Sequence, residues 1–560
     1  MASRAEKLVK RFETLKAAQS NWRTVWQELA DYILPTRKNI VSQRSPGIKQ
    51  TEKLFDSTAP DSAVKLAAFI AGSLTNMAIL WFSLKMRSEE LNQDKDVSAW
   101  LDACADEIYL ALRQSNFNTE SQEVYTDLGV FGTACMLIDE KPADGVGFGG
   151  YLFRAEAIGS YVIAENAEGL ADTVFRTLHM PVGAAAKRWG AENLNENTQK
   201  ILAKNPDQSL EILHCVTPRH TSPGKLKMNK PWASFYLELE RKHMLDEGGY
   251  DELPFVVPRW SKTAGEEYGR GPGHIALPDI KTLNKADELT LRGWGKIIEP
   301  PLKAREDGVI GRVRTTPSSI NIVRDMDALE PLEQGGKWDV NAALTQDRRS
   351  SIRRYFYADQ LQLPDKTIIT ATEVERRIEL MQQILGPTVG RLEYEFLNPL
   401  VSRCFKMLLR RGELPPIPAT VQQYAQQNKV SIDVEYEGPL ARSQRGNEIT
   451  AFQKFMQAAS MIVQVKPTTQ MLDKLDDDAV ADWLAKVTGL SKTLLLSNEG
   501  VAGIREQRAQ AMQQQNALAT AQSAADSTNK LASAEATLQS AQSEQGASTP
   551  YGDLSQGQAQ

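Results

Sequence analysis

The sequence predicts an α+β chain that is mostly helical. Three observations carry this: the first quarter repeats apolar residues at helical spacing, the second switches to short β-rich runs broken by Gly, Pro, Asn and Asp, and the remainder returns to long helical patterns. At 560 residues, the chain has room for roughly three to five modules and at least one sizeable core. Its 41% hydrophobic and 24% charged residues exclude collagen, wholesale disorder and a polytopic membrane protein. The 65 basic and 71 acidic residues leave a formal net charge of -6. The chain therefore lacks the basic excess of a tight, sequence-independent DNA binder, and any contact with nucleic acid is expected to be local or weak.

From Ala2 to Leu34, the residues Leu8, Phe12, Leu15, Trp22, Val25, Trp26, Leu29 and Ile33 recur three and four apart until Pro35. This spacing predicts one long amphipathic helix. Ala63 to Leu84 is the most apolar stretch, yet it carries Lys65, Ser73, Thr75 and Asn76, with Gly72 as a breaker. A buried helix followed by a strand is expected there, not a membrane span. Val97 to Gln114 reads as a helix burying Trp100, Leu101, Cys104, Ile108 and Leu112, and another from about Thr119 leads to a turn at Gly129 to Gly132. The runs TACMLID, GGYLFRA, TVFRTLHM, LEILHCV, ASFYLELE and LPFVVPRW then predict a mixed or antiparallel sheet over 133 to 260, with a helix near Pro181 to Trp189 at its edge.

The glycine-rich YGRGPGH, Tyr268 to His274, reads as a flexible junction between domains. Beyond it, Ala276 to Ile298 predicts one helix of about six turns, ended by Pro300 and Pro301. Leu302 to Lys337 is loop- and strand-like, and a second helix is expected from Trp338 to Tyr357. After the loop LQLPDKT, a long helix from Thr372 to Gly412 should bend at Gly386-Pro387 and Asn398-Pro399, because proline removes a backbone donor. A strand from Ser431 to Tyr436 and further helical patterns to about Leu496 follow. The last segment, Arg505 to Gln560, is largely Ala, Gln and Ser. It has helical propensity but too little apolar area to order alone, so it is expected to order only against copies of itself or a partner.

Chemistry-bearing motifs are sparse. A nucleotide motor needs GxxxxGK[ST] so that backbone amides and a lysine hold the phosphates, and no such string occurs. GxSxG and HExxH are also missing. Cys104, Cys135, Cys215 and Cys404 lie far apart in apolar contexts, which predicts buried, reduced thiols. The opening MASRAEKLVKRFETL has no apolar core of a secretory signal, consistent with synthesis in a reducing cytoplasm. His214 and Cys215, near His220, would point to opposite faces of a strand, so no metal site is expected. Asp476 to Asp478 reads as a solvated helix start. Neither a catalytic residue nor a cofactor is predicted.

The positive charges are more informative. Lys281, Lys285, Arg292 and Lys296 are spread along the first of the two helices that flank residues 302 to 337, and Arg348, Arg349, Arg353 and Arg354 concentrate on the second. Two readings stay open: a solvated face making salt bridges to Asp287, Glu288 or a neighbouring subunit, and a face toward a channel or nucleic acid.

Three segments resemble one family. They are LFDSTAPDSAVKLAAFIAGSLTN with the following WFSLKM, the junction YGRGPGHIALPDIKTLNKADE, and IITATEVERRIELMQQILGPTVGRLEYEFLNPLVSRCFKMLLRRGELP. Together they are similar to the head-to-tail connector, or portal, proteins of short-tailed double-stranded DNA bacteriophages, the podoviruses, over roughly residues 1 to 500. The resemblance implies a structural protein, not an enzyme, forming a ring of twelve subunits at the virion's portal vertex between head and tail, assembled in the host cytoplasm. It implies an α/β wing at 1–275, stem helices at 276–299 and 338–357, and a small β-containing clip at 300–337. It further implies a tunnel loop at 358–371, a kinked wing helix with a returning strand at 372–444, and a helical crown at 445–500 before the tail at 501–560. Lys366, Arg348, Arg349, Arg353 and Lys296 would face the DNA channel, and Arg305, Arg312, Arg314 and Arg324 would dock the motor or adaptor on the clip. The implied partners are double-stranded DNA without sequence preference, the terminase large subunit, a tail adaptor, scaffolding and major capsid proteins, and internal core proteins. No membrane is implied. The reading from another class is a non-portal virion component, from an internal core or a tail tube.

Overall fold

A computed structural model describes most of residues 3–332, together with 338–361, 384–428, 434–437, 452–461 and 498–543. It separates into two compact units, Met1–Ala441 and Arg442–Gln560.

The first unit opens with α1 (Arg4–Ala18) and α2 (Ser20–Tyr32), not the single helix that periodicity suggests. The division falls at Gln19, whose buried amide donates to the Tyr161 carbonyl at 2.9 Å and to the Tyr268 hydroxyl at 2.8 Å. Each helix serves a different core: α1 lays Val9 and Phe12 on a sheet, while α2 sends Trp26 and Leu29 into the main core. Ser3 and Glu6 close a capping box at the start of α1, satisfying orphan amides reciprocally. Helix α3 (Thr58–Leu74) runs through Gly72, which does not break it, and is followed by the expected strand β1 (Ser83–Met86). Next come α4 (Lys95–Arg113) and α5 (Phe117–Phe131), the latter capped by Gly132 at φ 73.

The sheet region is antiparallel throughout. β2 (Met136–Glu140) pairs with β3 (Tyr151–Ala155) on one side and β9 (Phe255–Val256) on the other. A five-stranded meander contains β4 (Tyr161–Glu165), β5 (Ala171–Pro181), β6 (Ser209–Pro218), β7 (Trp232–Glu238) and β8 (His243–Tyr250) in that order. Helices α6 (Val182–Trp189) and α7 (Glu196–Lys204) connect β5 to β6. His214 and Cys215 do point to opposite faces. The His214 ring stacks on Tyr236 at 4.1 Å and bonds to Arg176 and Ser234, while Cys215 packs beneath α1. His220 lies outside the described residues. All four cysteines are buried free thiols, and burial pushes Cys104 and Cys404 up to about 12.

Helix α8 (Pro272–Ile298) and α9 (Trp338–Tyr355) enclose a small β insertion. In it β10 (Leu302–Ala304) pairs with β13 (Leu329–Pro331), and β11 (Val309–Ile310) with β12 (Ile322–Val323). A short α10 (Ala358–Leu361) follows. Residues 362–383, with Lys366 and the start of the expected kinked helix, lie outside the described residues.

From 384 to 411 the chain is one helix, α11, which passes Gly386-Pro387 and contains a wide turn at Glu393–Leu397 just before Asn398-Pro399. There the Asn398 amide reaches back five residues to the Glu393 carbonyl. The proline is thus absorbed by a local π-turn, one of the recognised ways a helix accommodates a missing donor. After α12 (Ala419–Asn428), β14 (Val434–Glu437) returns to pair antiparallel with β1, with Tyr436 opposite Leu84.

In the second unit, 452–461 is helical and α13 (Asn498–Ser543) is a single helix of 46 residues, as propensity suggested for the tail. Most of 445–497, including Asp476 to Asp478, and all of 544–560 lie outside the described residues. Among the described residues no helix is long and apolar enough to cross a membrane.

Candidate functional site

Helix α8 has 27 residues and so measures about 40 Å. Only its first half belongs to the core, through Ala276, Leu277, Ile280, Leu283 and Asn284. Past that point Leu289, Leu291, Trp294, Ile297 and Ile298 are exposed, Trp294 to 57% and Ile298 to 77%. Helix α9 runs back toward the core, leaving Leu344 exposed and burying Ile352, with Phe356 buried just past its end. The insertion between them exposes Ile320 to 88% and Met326 to 91%. A continuous apolar face on a projecting element marks a surface meant for another chain.

At the base of α8 three glycines bring backbone directly against backbone. A methyl group on Gly271 would lie 2.5 Å from the Leu128 carbonyl oxygen, on Gly273 2.5 Å from that of Val130, and on Gly269 2.4 Å from that of Gly132. The Gly269 amide donates to Thr133 Oγ1 at 2.7 Å. The segment expected to be a flexible junction is instead backbone packed directly on the end of α5. Glycine is required there by close approach.

Five of the basic residues on the helix pair are held in ion pairs within the subunit. Arg348 holds Asp279 at 2.6 Å, and Arg349 holds Asp56 at 2.8 Å and Asp287 at 2.9 Å. Lys285 and Arg292 both hold Glu288, at 2.9 and 2.6 Å, and Lys281 reaches Glu28 at 3.1 Å. Asp287 and Glu288, anticipated as partners from the sequence, are in fact engaged. Burial opposes ionisation of Asp56, but hydrogen bonds from Thr58 and Arg349 outweigh it and hold its carboxyl below the usual range. At Asp287 burial prevails over Arg349 and the carboxyl is pushed up.

Lys296 is exposed at the far end of α8, and Arg353 is half-buried on α9. Arg305, Arg312, Arg314 and Arg324 are all exposed on the insertion, away from the ion pairs of the helix pair. The backbone at Arg314 is fixed by Asn321, which accepts from its amide at 2.8 Å and donates to its carbonyl at 2.9 Å.

Several residues that organise this site carry no local signal in the sequence. Asn284 accepts from the Phe55 and Asp56 amides at 2.8 and 3.1 Å. Arg259 is 1% exposed and binds both oxygens of Glu395 at 3.0 Å, the Gly169 carbonyl at 2.9 Å, and Glu165. This ties the wide turn of α11 to the sheets. The partners are far apart in the chain, so spacing could not reveal them. No group of three or more His, Cys, Asp or Glu among the described residues could hold a metal.

The geometry defines an assembling structural protein: a compact base and a projecting helical hairpin, with apolar surface where an isolated subunit would not keep it. The family described as bacteriophage head to tail connecting protein matches residues 5–495, and the chain belongs to it. A probable portal protein of Bordetella phage BPP-1 is 29% identical over 561 residues, covering 97% of this chain and 98% of its own. The portal protein of Salmonella phage epsilon15 is 27% identical over 541 residues, covering 94% and 95%. That of Pseudomonas phage phiKMV is 24% identical over 501 residues, covering 85% and 90%. The chain is a phage portal, the connector at the head–tail vertex of the virion.

Proposed function

We propose that the chain closes into a ring of twelve copies whose central channel conducts double-stranded DNA during packaging and ejection. The observation that carries the ring is the exposed apolar face from Leu289 to Ile298, which a neighbouring copy would cover. In this reading residues 1–275 are the wing, α8 and α9 the stem, 300–337 the clip, 358–371 the tunnel loop, 372–444 the kinked wing helix and returning strand, and 445–500 the crown. The family match sets aside the core or tail-tube alternative. Arg348 and Arg349 are neutralised within the subunit, so the channel draws its weak positive positions from Lys296, Arg353 and Lys366. The exposed arginines of the clip, Arg305, Arg312, Arg314 and Arg324, supply a docking surface for the terminase large subunit and later for a tail adaptor. Scaffolding, major capsid and internal core proteins are further partners in this reading.

The ring performs no catalysis; the work of packaging comes from a separate ATPase, since the chain contains no phosphate-binding loop. Native mass spectrometry and negative-stain imaging of the purified chain should show closed rings with a central hole. A monodisperse monomer at high concentration would refute the reading. The same preparation should hydrolyse no ATP, and turnover above background without the motor would reveal a nucleotide site.

A further inference from the structure

We propose that Arg349, acting with Asp56, Asp287 and Asn284, is the clamp that sets the angle at which the stem leaves the wing, and thereby the number of subunits that close the ring. This rests on the ring reading above and assigns Arg349 a positioning role in place of a channel-facing one.

The clamp sits where α8 departs from the core. Asn284 is the last of the buried residues on that helix and is 3% exposed. Its Oδ1 holds the Phe55 and Asp56 amides, and its Nδ2 donates to the Ile280 carbonyl at 2.9 Å. The loop before α3 is thereby stitched to α8. Asp56 is itself committed on both oxygens: Oδ1 accepts from the Thr58 amide at 2.8 Å, at the start of α3, and Oδ2 accepts from Arg349 Nε. The same guanidinium uses Nη2 to hold Asp287, three residues past Asn284 on α8. One planar group therefore joins the wing loop, the outgoing helix and the returning helix. The fixed fork of arginine suits this, and the single ammonium of lysine does not. Arg348, by contrast, holds Asp279 and so links α9 to α8.

Ring closure makes this angle consequential. In a head-to-tail ring the rotation between neighbours must divide a full turn, and twelve- and thirteen-membered rings differ by only about 2° per subunit. The apolar faces of the stem and clip supply adhesion, but adhesion alone does not select between such close angles. A guanidinium at 33% side-chain exposure, against an Asp56 at 7%, holds direction where both stem helices meet the loop before α3. Hydrogen bonds to charged groups contribute about 1.5–3 kcal/mol, enough to shift a ratio of two ring sizes by roughly tenfold or more.

The test uses the full chain and compares wild type with Arg349→Lys, Asp287→Asn and, as a charge control on the same helix, the exposed Arg354→Gln. Copy number is read by native mass spectrometry and stability by thermal unfolding. Wild type and Arg354→Gln should give one dominant ring size. Arg349→Lys and Asp287→Asn should raise the ratio of minor to major ring size by about tenfold. Asp287→Asn leaves the Asp56 contact in place and so keeps the test valid if Arg349→Lys folds poorly. Lower stability with an unchanged copy number in both variants would overturn the clamp and leave an ordinary structural ion pair. A wild-type chain that stays monomeric would instead overturn the ring reading on which the clamp depends.

Discussion

Asp127 is fully enclosed, and its Oδ1 has no aligned donor; the nearest cation, Arg37, places Nε at 3.3 Å while also bonding Glu123. Burial pushes this carboxyl up from 3.8 to about 7, with Arg37 lowering it and Glu123 on the same helix raising it. Tyr161, from β4, is the further titratable group that feels its charge. Between pH 4 and 7 the folded chain holds a proton that the unfolded chain has released, so stability falls as pH rises through this window. Asp127→Asn should therefore be more stable than wild type above pH 7, by a few kcal/mol at the order-of-magnitude level, with the gap closing toward pH 4. Urea denaturation at a series of pH values checks this, and a pH-independent difference would show that Asp127 is ionised throughout. Such a residue is invisible in TESQEVYTDLGVF, because its burial comes from α5 being surrounded and not from any local pattern. His274 illustrates the opposite shift: burial pushes it down to about 4, and Nδ1 accepts from the Gly271 amide at 3.2 Å. It is neutral across the physiological range.

Glycines at the level of elements separate two roles that look alike in sequence. Gly271 approaches the α5 carbonyls so closely that Gly271→Ala should cost about 3 kcal/mol or more, since backbone cannot give way as a side-chain tip can. Gly72 lies exposed inside α3 with nothing within 4 Å of an added methyl, so Gly72→Ala should add about 0.5–1 kcal/mol. Denaturation midpoints with unchanged slopes check both. A neutral Gly271→Ala would restore the flexible-junction reading. Periodicity located most helices to within a few residues because each buries one face, as with α4 and α8. It missed β4 and β8, the two edges of the meander, whose outer sides face no neighbouring strand and whose sequences, YVIAE and HMLDEGGY, alternate poorly. It also ran α1 into α2, because Gln19 keeps a helical backbone and the division depends on two distant partners, Tyr161 and Tyr268.

At the scale of the whole molecule, the order of helix, β insertion and helix was legible because the prolines and glycines that punctuate it act locally. Whether Arg348 and Arg349 face solvent or carboxylates was not, since Asp56 lies far away in the chain. That answer bears on DNA. A ring of twelve such chains would carry a formal charge of roughly -72. Arg348 and Arg349 are already neutralised by Asp279, Asp56 and Asp287, and Glu288 takes up Lys285 and Arg292. Affinity for duplex DNA grows with the number of phosphates whose counterions are released, and a guanidinium engaged by an aspartate releases few. The purified ring should therefore bind a short duplex no more tightly than about 10 μM at about 150 mM salt, with a shallow dependence of affinity on salt. Fluorescence anisotropy across a salt series measures both quantities, and submicromolar binding under these conditions would mean that the ion pairs rearrange on assembly. Asp279→Asn sharpens the comparison by freeing Arg348 while leaving the Arg349 contacts intact. If the duplex passes close to the stem, this variant should bind more tightly with a steeper salt slope; an identical slope would place Arg348 away from the DNA path.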